Sequence, residues 1–159
     1  MYMIGIDLGG TNLKGGLCDE DGNLIKKLSI PTKSSTNSDE LTDDMALLCN
    51  KLIESAGIPR EEVESVGIAV PGTADLKKGE IVYCDNVPFL HYPIIEEFSK
   101  RFPGCSVYIE NDANAAALGE AMCGGAKGYN DMVLITLGTG VGSGIIIGGK
   151  IFSGFNYAG

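Results

Sequence analysis

Two glycine-rich turns, each set between apolar strands, constrain the fold of this chain more than any other feature of its sequence. The first turn, residues 7–11 (Asp-Leu-Gly-Gly-Thr), directly follows the apolar residues 3–6. The second, residues 137–142 (Leu-Gly-Thr-Gly-Val-Gly), follows an apolar strand at 132–136 and precedes another at 145–147. Glycine permits tight dihedral angles and lets backbone N–H groups approach phosphate oxygens closely. Two similar turns therefore predict one nucleotide held between two related half-domains.

The net charge limits the partners that the chain can bind. With 159 residues, 44% of them hydrophobic, the chain can bury a core, and its length alone favours a single domain. The net charge of -9 and the lack of a basic run disfavour nucleic acid and anionic membranes as partners. A single ATP remains compatible, because backbone N–H groups, Lys14 and a divalent cation can offset the local negative charge.

Cysteine usage and hydropathy favour a soluble protein of the cytoplasm. The chain has five cysteines, an odd number, and they are widely spaced without a C-x-x-C pair. We therefore expect reduced thiols, and neither a disulfide framework nor a zinc site. The uncharged residues 132–149 have membrane-spanning length, but glycines and hydroxyl residues interrupt them. Strand, turn and strand is the better interpretation, so we expect no membrane span.

Strand-like and helix-like segments alternate along the chain. The first three strands form an antiparallel meander, and a polar loop then leads into a helix that begins with a capping box at Asn37 and Glu40 and ends at Gly57. The segment 73–89 is predicted to be rich in loop, with a hairpin near Lys78 and Gly79. The predicted strands are 3–8, 12–18, 24–30, 66–70 and 107–109, and the later helices run from Pro93 to about Phe102 and over 111–123.

Four motifs, in this order and spacing, resemble the ROK family of sugar kinases and repressors. They are the Asp-x-Gly-Gly-Thr turn, residues 70–72 (Val-Pro-Gly), residues 110–114 (Glu-Asn-Asp-Ala-Asn) and residues 137–144. The resemblance implies an α/β, ribonuclease H-like fold of the actin-like ATPases, with a mixed sheet and flanking helices in a lobe over 1–124. The first strands of a second, similar lobe would follow at 125–159. It also implies an ATP-dependent hexose kinase that binds its sugar in a cleft between two lobes.

The resemblance also implies roles for particular residues. Asp112 would be the catalytic base, and the sugar would be bound by Gly72, Asn86, Asn111 and Asp112. Asp7 would face the metal-bound phosphates, with Mg²⁺ held through water. The residues implied in binding ATP are Asp7, Gly9, Gly10, Thr11, Lys14, Gly138, Thr139 and Gly140.

Several of these residues also have a purely structural interpretation. Asp112 or Asn111 can be the N-cap of the helix that follows, and the two roles of Asp112 are compatible because a helix N-terminus stabilises an ionised carboxylate. Asp7 can serve as a turn residue, and Lys14 as a solvated strand lysine. His91, the single histidine, lacks a metal-ligand partner in the sequence and is expected to be a surface residue.

The sequence departs from the family pattern at both ends. The sugar-binding Glu-x-Gly-His motif and the Cys/His zinc motif of the family would lie after residue 159, so we expect this chain to be the N-terminal portion of a longer kinase. We also expect the protein to form homo-oligomers. Only six residues precede Asp7, which disfavours a DNA-binding repressor. Phe89 stands where the family often has Trp, so the resemblance does not name the sugar. A non-catalytic sugar- or nucleotide-sensing module is the alternative.

Overall fold

The computed structural model describes residues 1–33, 37–138 and 140–154. The chain divides into two compact units, Met1–Glu110 and Asn111–Gly159. The boundary expected from the sequence, after residue 124, lies one helix later than this division. The elements follow one another as β1 (Tyr2–Leu8), β2 (Asn12–Asp19), β3 (Leu24–Pro31), α1 (Ser38–Ala56), β4 (Val63–Val70), β5 (Gly72–Asp75), β6 (Glu80–Cys84), β7 (Leu90–Tyr92), α2 (Ile94–Arg101), β8 (Ser106–Asn111), α3 (Asp112–Met122), β9 (Met132–Leu137), β10 (Val141–Ile147) and β11 (Lys150–Ile151).

A five-stranded mixed sheet forms the centre of the first unit. Its strand order is β3-β2-β1-β4-β8, with β1, β2 and β3 antiparallel to their neighbours in the meander and β4 parallel to β1. The predicted antiparallel meander is confirmed. Alternate residues of β1 are buried, namely Ile4, Ile6 and Leu8, so Gly5 and Asp7 lie on the opposite, exposed side of the strand.

Helix α1 covers the buried face of this sheet over β2 and β3. The capping box predicted at its start is present, because the Asn37 side chain accepts from the Glu40 N–H and the Glu40 carboxylate accepts from the Asn37 N–H. Gly57 ends the helix in the left-handed conformation with φ 67°. Gly15 of β2 allows the close approach, since a Cβ there would lie 2.8 Å from Cδ1 of Leu52.

A second sheet lies in the segment predicted to be rich in loop. Strands β5, β6 and β7 pair antiparallel in that order, so residues 73–89 contain two strands that were not predicted as such, and the hairpin at Lys78 and Gly79 is confirmed. These strands have three to five residues each, which is too short for an alternating pattern to stand out. Phe89 is buried beneath them and packs on Tyr92 with ring centroids 5.1 Å apart.

The second unit combines α3 with an antiparallel sheet of order β11-β10-β9. Strand β10 begins at Val141, so the prediction that this strand starts near residue 145 is wrong: its glycines form extended strand rather than turn. Gly144 lets α3 pack closely, because a Cβ there would lie 2.5 Å from the Ala113 carbonyl oxygen and 2.6 Å from the Ala117 Cβ. Exposed apolar side chains occupy alternate positions on these strands, namely Val133, Ile135, Leu137, Val141 and Ile147.

Within residues 1–33, 37–138 and 140–154, no helix combines the length and the apolar character needed to cross a membrane.

Candidate functional site

The first glycine turn, residues 9–11, connects β1 to β2 and is held by Thr32. The Thr32 hydroxyl donates to the Gly9 carbonyl oxygen at 2.7 Å, and the Thr32 N–H donates to the Thr11 carbonyl oxygen at 2.9 Å. Gly9 must lack a side chain, because a Cβ there would lie 2.6 Å from the Asn12 carbonyl oxygen. Gly10 and Thr11 remain exposed. The turn therefore presents its middle residues to solvent while its ends are fixed.

Asp7 and Lys14 form a cross-strand ion pair at the base of this turn. They are directly opposite in the β1–β2 register, and the Lys14 ammonium donates to Asp7 Oδ2 at 3.0 Å. Their side chains are 49% and 64% exposed, respectively. An ion pair this exposed contributes about 0–1 kcal/mol, so an incoming phosphate or cation can separate the two groups at little cost. Lys14 is thus not merely a solvated strand lysine, and both charges lie where the sequence analysis expects a nucleotide.

Gly72 and Asn86, the two predicted sugar-binding residues of the first unit, both lie near the C-terminal end of β6. Gly72 is paired with Cys84 at the start of β5, and a Cβ on it would collide with the Tyr83 carbonyl oxygen. Asn86 is exposed in the loop between β6 and β7, residues 85–89, which we call the Asn86 loop.

The Asn86 loop also touches the first glycine turn. A Cβ on Gly10 would lie 3.0 Å from Asn86 Cβ and 3.1 Å from the Asn86 carbonyl oxygen. On its other side the loop is held by α1, where the Ser38 hydroxyl donates to the Pro88 carbonyl oxygen. The sequence analysis missed Thr32 and Ser38, because single hydroxyl residues in a polar stretch carry no motif.

Asn111 and Asp112 lie at the junction of β8 and α3. The Asn111 side-chain oxygen accepts from the N–H groups of Ala113 and Asn114 at 3.0 and 3.2 Å, so Asn111 is the N-cap. The N-cap interpretation of Asp112 is therefore wrong. Asp112 is the first residue of the helix, exposed, and its Oδ1 accepts from the Ala113 N–H at 2.8 Å.

The second glycine turn, between β9 and β10, is open in its described part. The Gly138 N–H donates to the Gly140 carbonyl oxygen at 2.9 Å, and a Cβ on either glycine would meet nothing within 4 Å. Thr139, the third predicted phosphate-binding residue of this turn, lies outside the described residues. The space around both glycines would admit a ligand close to the backbone.

Several ionisable groups with shifted pKa values lie together where α1 meets α2. The Tyr92 hydroxyl donates to Asp39 at 2.7 Å and, with nearby Arg101, holds the pKa of that carboxyl below 3.8. Burial, together with the neighbouring carboxylate, raises the pKa of Tyr92 to about 12. Arg101 also pairs with Asp43 and Glu97. This cluster stabilises the packing of the two helices and takes no part in the candidate site.

Among the histidine, cysteine and acidic side chains that the structure describes, no group of three or more could hold a metal ion. His91 instead lies 2.7 Å from Glu80 through its Nδ1, on the exposed surface of β7. Its backbone has φ 47°, the one positive φ among the described non-glycine residues.

Comparison with known proteins identifies the family. The ROK family model matches residues 3–159. The glucokinase of Streptomyces coelicolor is 38% identical over 151 residues, which cover 95% of this chain and 45% of the relative. The xylose repressor of Bacillus spizizenii is 32% identical over 154 residues, covering 96% and 39%. A crystal structure of a ROK family glucokinase from Streptomyces griseus in complex with glucose and AMPPNP has a TM-score of 0.86 and 35% identity, covering 98% of this chain and 47% of that one.

The chain spans about half the length of the curated relatives that it matches. Its mixed sheet with flanking helices agrees with the solved ROK kinases, so the predicted α/β fold of the actin-like ATPases is confirmed. With a family model that matches almost every residue and relatives that align along nearly the whole sequence, the chain belongs to the ROK family.

Proposed function

We propose that this chain carries the nucleotide- and sugar-binding residues of an ATP-dependent hexose kinase, in which Asp112 is the general base. The observation that carries the proposal is the placement of Asp112 as an exposed carboxylate at the N-terminus of α3, with Asn111 supplying the cap. The similarity to glucokinases supports a sugar kinase.

The base must be ionised before it can accept a proton. Asp112 is exposed at the first position of the 11-residue helix α3, so a sugar hydroxyl could reach its carboxylate. In the proposed reaction Asp112 takes the proton of the sugar hydroxyl on C6, the hydroxyl oxygen bonds to the γ-phosphorus, and ADP leaves. Asn86 and Asn111 would orient the sugar through hydrogen bonds to its other hydroxyls.

The two glycine turns fit the phosphate groups of ATP. Gly10 and Thr11 are exposed, and nothing lies within 4 Å of a Cβ built on Gly138 or Gly140, so a phosphate could approach the backbone of each turn. Lys14 would add a positive charge beside the first turn. Asp7 would hold Mg²⁺ through water, and this ion would neutralise phosphate charge when bound. Phosphoryl transfer depends mainly on alignment and charge stabilisation, which these residues would supply.

A sugar- or nucleotide-sensing module without kinase activity is the second candidate. It is favoured by the similarity to a xylose repressor, which shows that the family includes regulators. Such a module would bind sugar or nucleotide without transferring phosphate.

A coupled assay of ADP release decides between the two. The 159-residue chain and the full-length protein would be supplied with MgATP and a panel of hexoses that includes glucose and N-acetylmannosamine. We expect hexose-dependent ADP release from the full-length protein and none from the 159-residue chain. Sugar binding by calorimetry without any turnover in the full-length protein would favour the sensing module instead.

A further inference from the structure

We infer that Gly10 couples the first glycine turn to the Asn86 loop, so that nucleotide bound at the turn changes the affinity for sugar at the loop. This inference rests on the proposed function and extends it to the regulation of the same site. It makes Gly10 and Thr32 positioning residues for sugar, although neither is proposed to touch the sugar.

The first glycine turn and the Asn86 loop approach closely at Gly10. A Cβ on Gly10 would be 3.0 Å from Asn86 Cβ and 3.1 Å from the Asn86 carbonyl oxygen, so there is no room for a side chain between them without a shift of the loop. Because Gly10 has no side chain that could change rotamer, a displacement of the turn acts directly on Asn86. Gly5, on the same strand and side as Asp7, has nothing within 4 Å of the equivalent position.

The far side of each segment is also fixed. Thr32 holds both ends of the glycine turn through the carbonyl oxygens of Gly9 and Thr11. Ser38, in the first turn of α1, holds the Asn86 loop through the Pro88 carbonyl oxygen. The glycine turn and the Asn86 loop therefore contact each other on one side and are held by hydrogen bonds on the other. A shift of the turn is transmitted to the loop.

The loop itself is ordered by its own interactions. The Phe89 N–H donates to the Val87 carbonyl oxygen at 2.8 Å, and the Phe89 carbonyl oxygen accepts from the Cys84 N–H at 3.3 Å. The Phe89 ring is buried. A shift of the loop therefore moves Asn86 as part of a packed unit, which changes the position of its amide toward a sugar. Because binding coupling is reciprocal, sugar must change nucleotide affinity by the same factor.

Calorimetry on the full-length protein tests this coupling. Glucose is titrated without nucleotide and with saturating AMPPNP, and the ratio of the two dissociation constants is the coupling factor. We expect a factor of about fivefold or more in the parent protein, which falls to within about twofold of unity in Gly10→Ala. Gly5→Ala is the matched control, because it makes the same chemical change where a methyl group meets nothing, and we expect it to retain the parent factor.

A second pair of variants keeps the test valid if Gly10→Ala fails to fold. Thr32→Val removes the hydroxyl that holds Gly9, whereas Thr32→Ser retains it, so we expect only the valine variant to lose the coupling. AMPPNP should also slow hydrogen exchange at the Phe89 amide in the parent and in Thr32→Ser, but not in Thr32→Val.

Three results would overturn the inference. The first is a coupling factor near unity in the parent protein, and the second is a parent-like factor in whichever of Gly10→Ala and Thr32→Val folds. Both leave the proposed function standing, since the parent still binds both ligands. The third is a parent protein that binds neither glucose nor AMPPNP, which would overturn the proposed function together with the inference.

Discussion

Asn111 caps the helix that Asp112 begins. The Asn111 side chain accepts the N–H groups of Ala113 and Asn114, so the carboxylate of Asp112 is not required as the N-cap. Asn111 therefore supplies the cap that stabilises the helix, and the carboxylate of Asp112 is left for the role proposed for it. This division makes the two roles separable by substitution.

Asp112→Asn should lower kcat of the full-length protein by about 10²- to 10⁴-fold, with a much smaller change in KM, because the amide cannot accept the hydroxyl proton. Steady-state kinetics with MgATP and glucose measure both constants. Asp21→Asn, the same isosteric change in the exposed turn after β2, is the control. Parent-like turnover in Asp112→Asn would exclude Asp112 as the base.

Asn111→Ala should lower the free energy of unfolding by about 1 kcal/mol, because two N–H groups of the first turn of α3 lose their acceptor. Urea denaturation measures the change. Asn111→Ser keeps a capping oxygen and should retain most of the stability, while both variants lose the amide proposed to bind sugar. Equal losses of stability in the two variants would contradict the capping role.

Tyr92→Phe should lower the melting temperature at neutral pH and lose that effect in acid. The hydrogen bond from Tyr92 depresses the pKa of Asp39 below its usual 3.8, so its stabilisation is present above that pH. It disappears as the pH falls through the lower, folded-state pKa. The melting temperatures of parent and variant should therefore differ at pH 5–7 and converge below about pH 3.8.

At alkaline pH, Tyr92→Phe should lose less stability than the parent protein. The pKa of Tyr92 is raised from 10 to about 12 in the folded protein, so the parent loses stability as the pH rises through this range. Tyr92→Phe has no phenol to ionise and should lose less. Tyr129→Phe, at a tyrosine that is 69% exposed, is the control, and an identical pH profile for both variants would contradict the assignment.

The 159-residue chain should self-associate through the exposed apolar side chains of β9 and β10. Val133, Ile135 and Leu137 occupy one side of β9 and are more than half exposed, and exposed apolar patches on strands recruit other chains. Static light scattering over a concentration series measures the average mass. Ile135→Lys should lower it, whereas Leu47→Lys on the exposed surface of α1 should not. A parent chain that stays monomeric would contradict this prediction.

Local sequence predicts the elements that are long and regularly patterned. The meander follows from apolar alternation and from the turn composition before Leu24, and α1 follows from its apolar stripe and from the Asn37 and Glu40 capping box. In both cases the periodic signal extends over several residues and the ends carry turn or cap residues. Local and tertiary preferences agree there.

Sequence reasoning fails where tertiary packing sets the conformation. Strand β7 has three residues, one of them His91 with a positive φ, and it exists because it pairs with β6. Gly142 and Gly144 look like turn residues, yet β10 extends through them because α3 lies against that strand. The contact of Gly10 with Asn86 joins segments far apart in the chain, and neither segment encodes it alone.

Gly144 carries no functional group, but Ala113 and Ala117 of α3 pack directly against it, and Ala113 is the residue next to Asp112. Any side chain there would lift the start of the helix and displace the carboxylate with it. In a mutational scan scored by catalysis, we therefore expect substitutions of Gly144, a glycine that does no chemistry, to lower activity as severely as substitutions of Asp112, the proposed base.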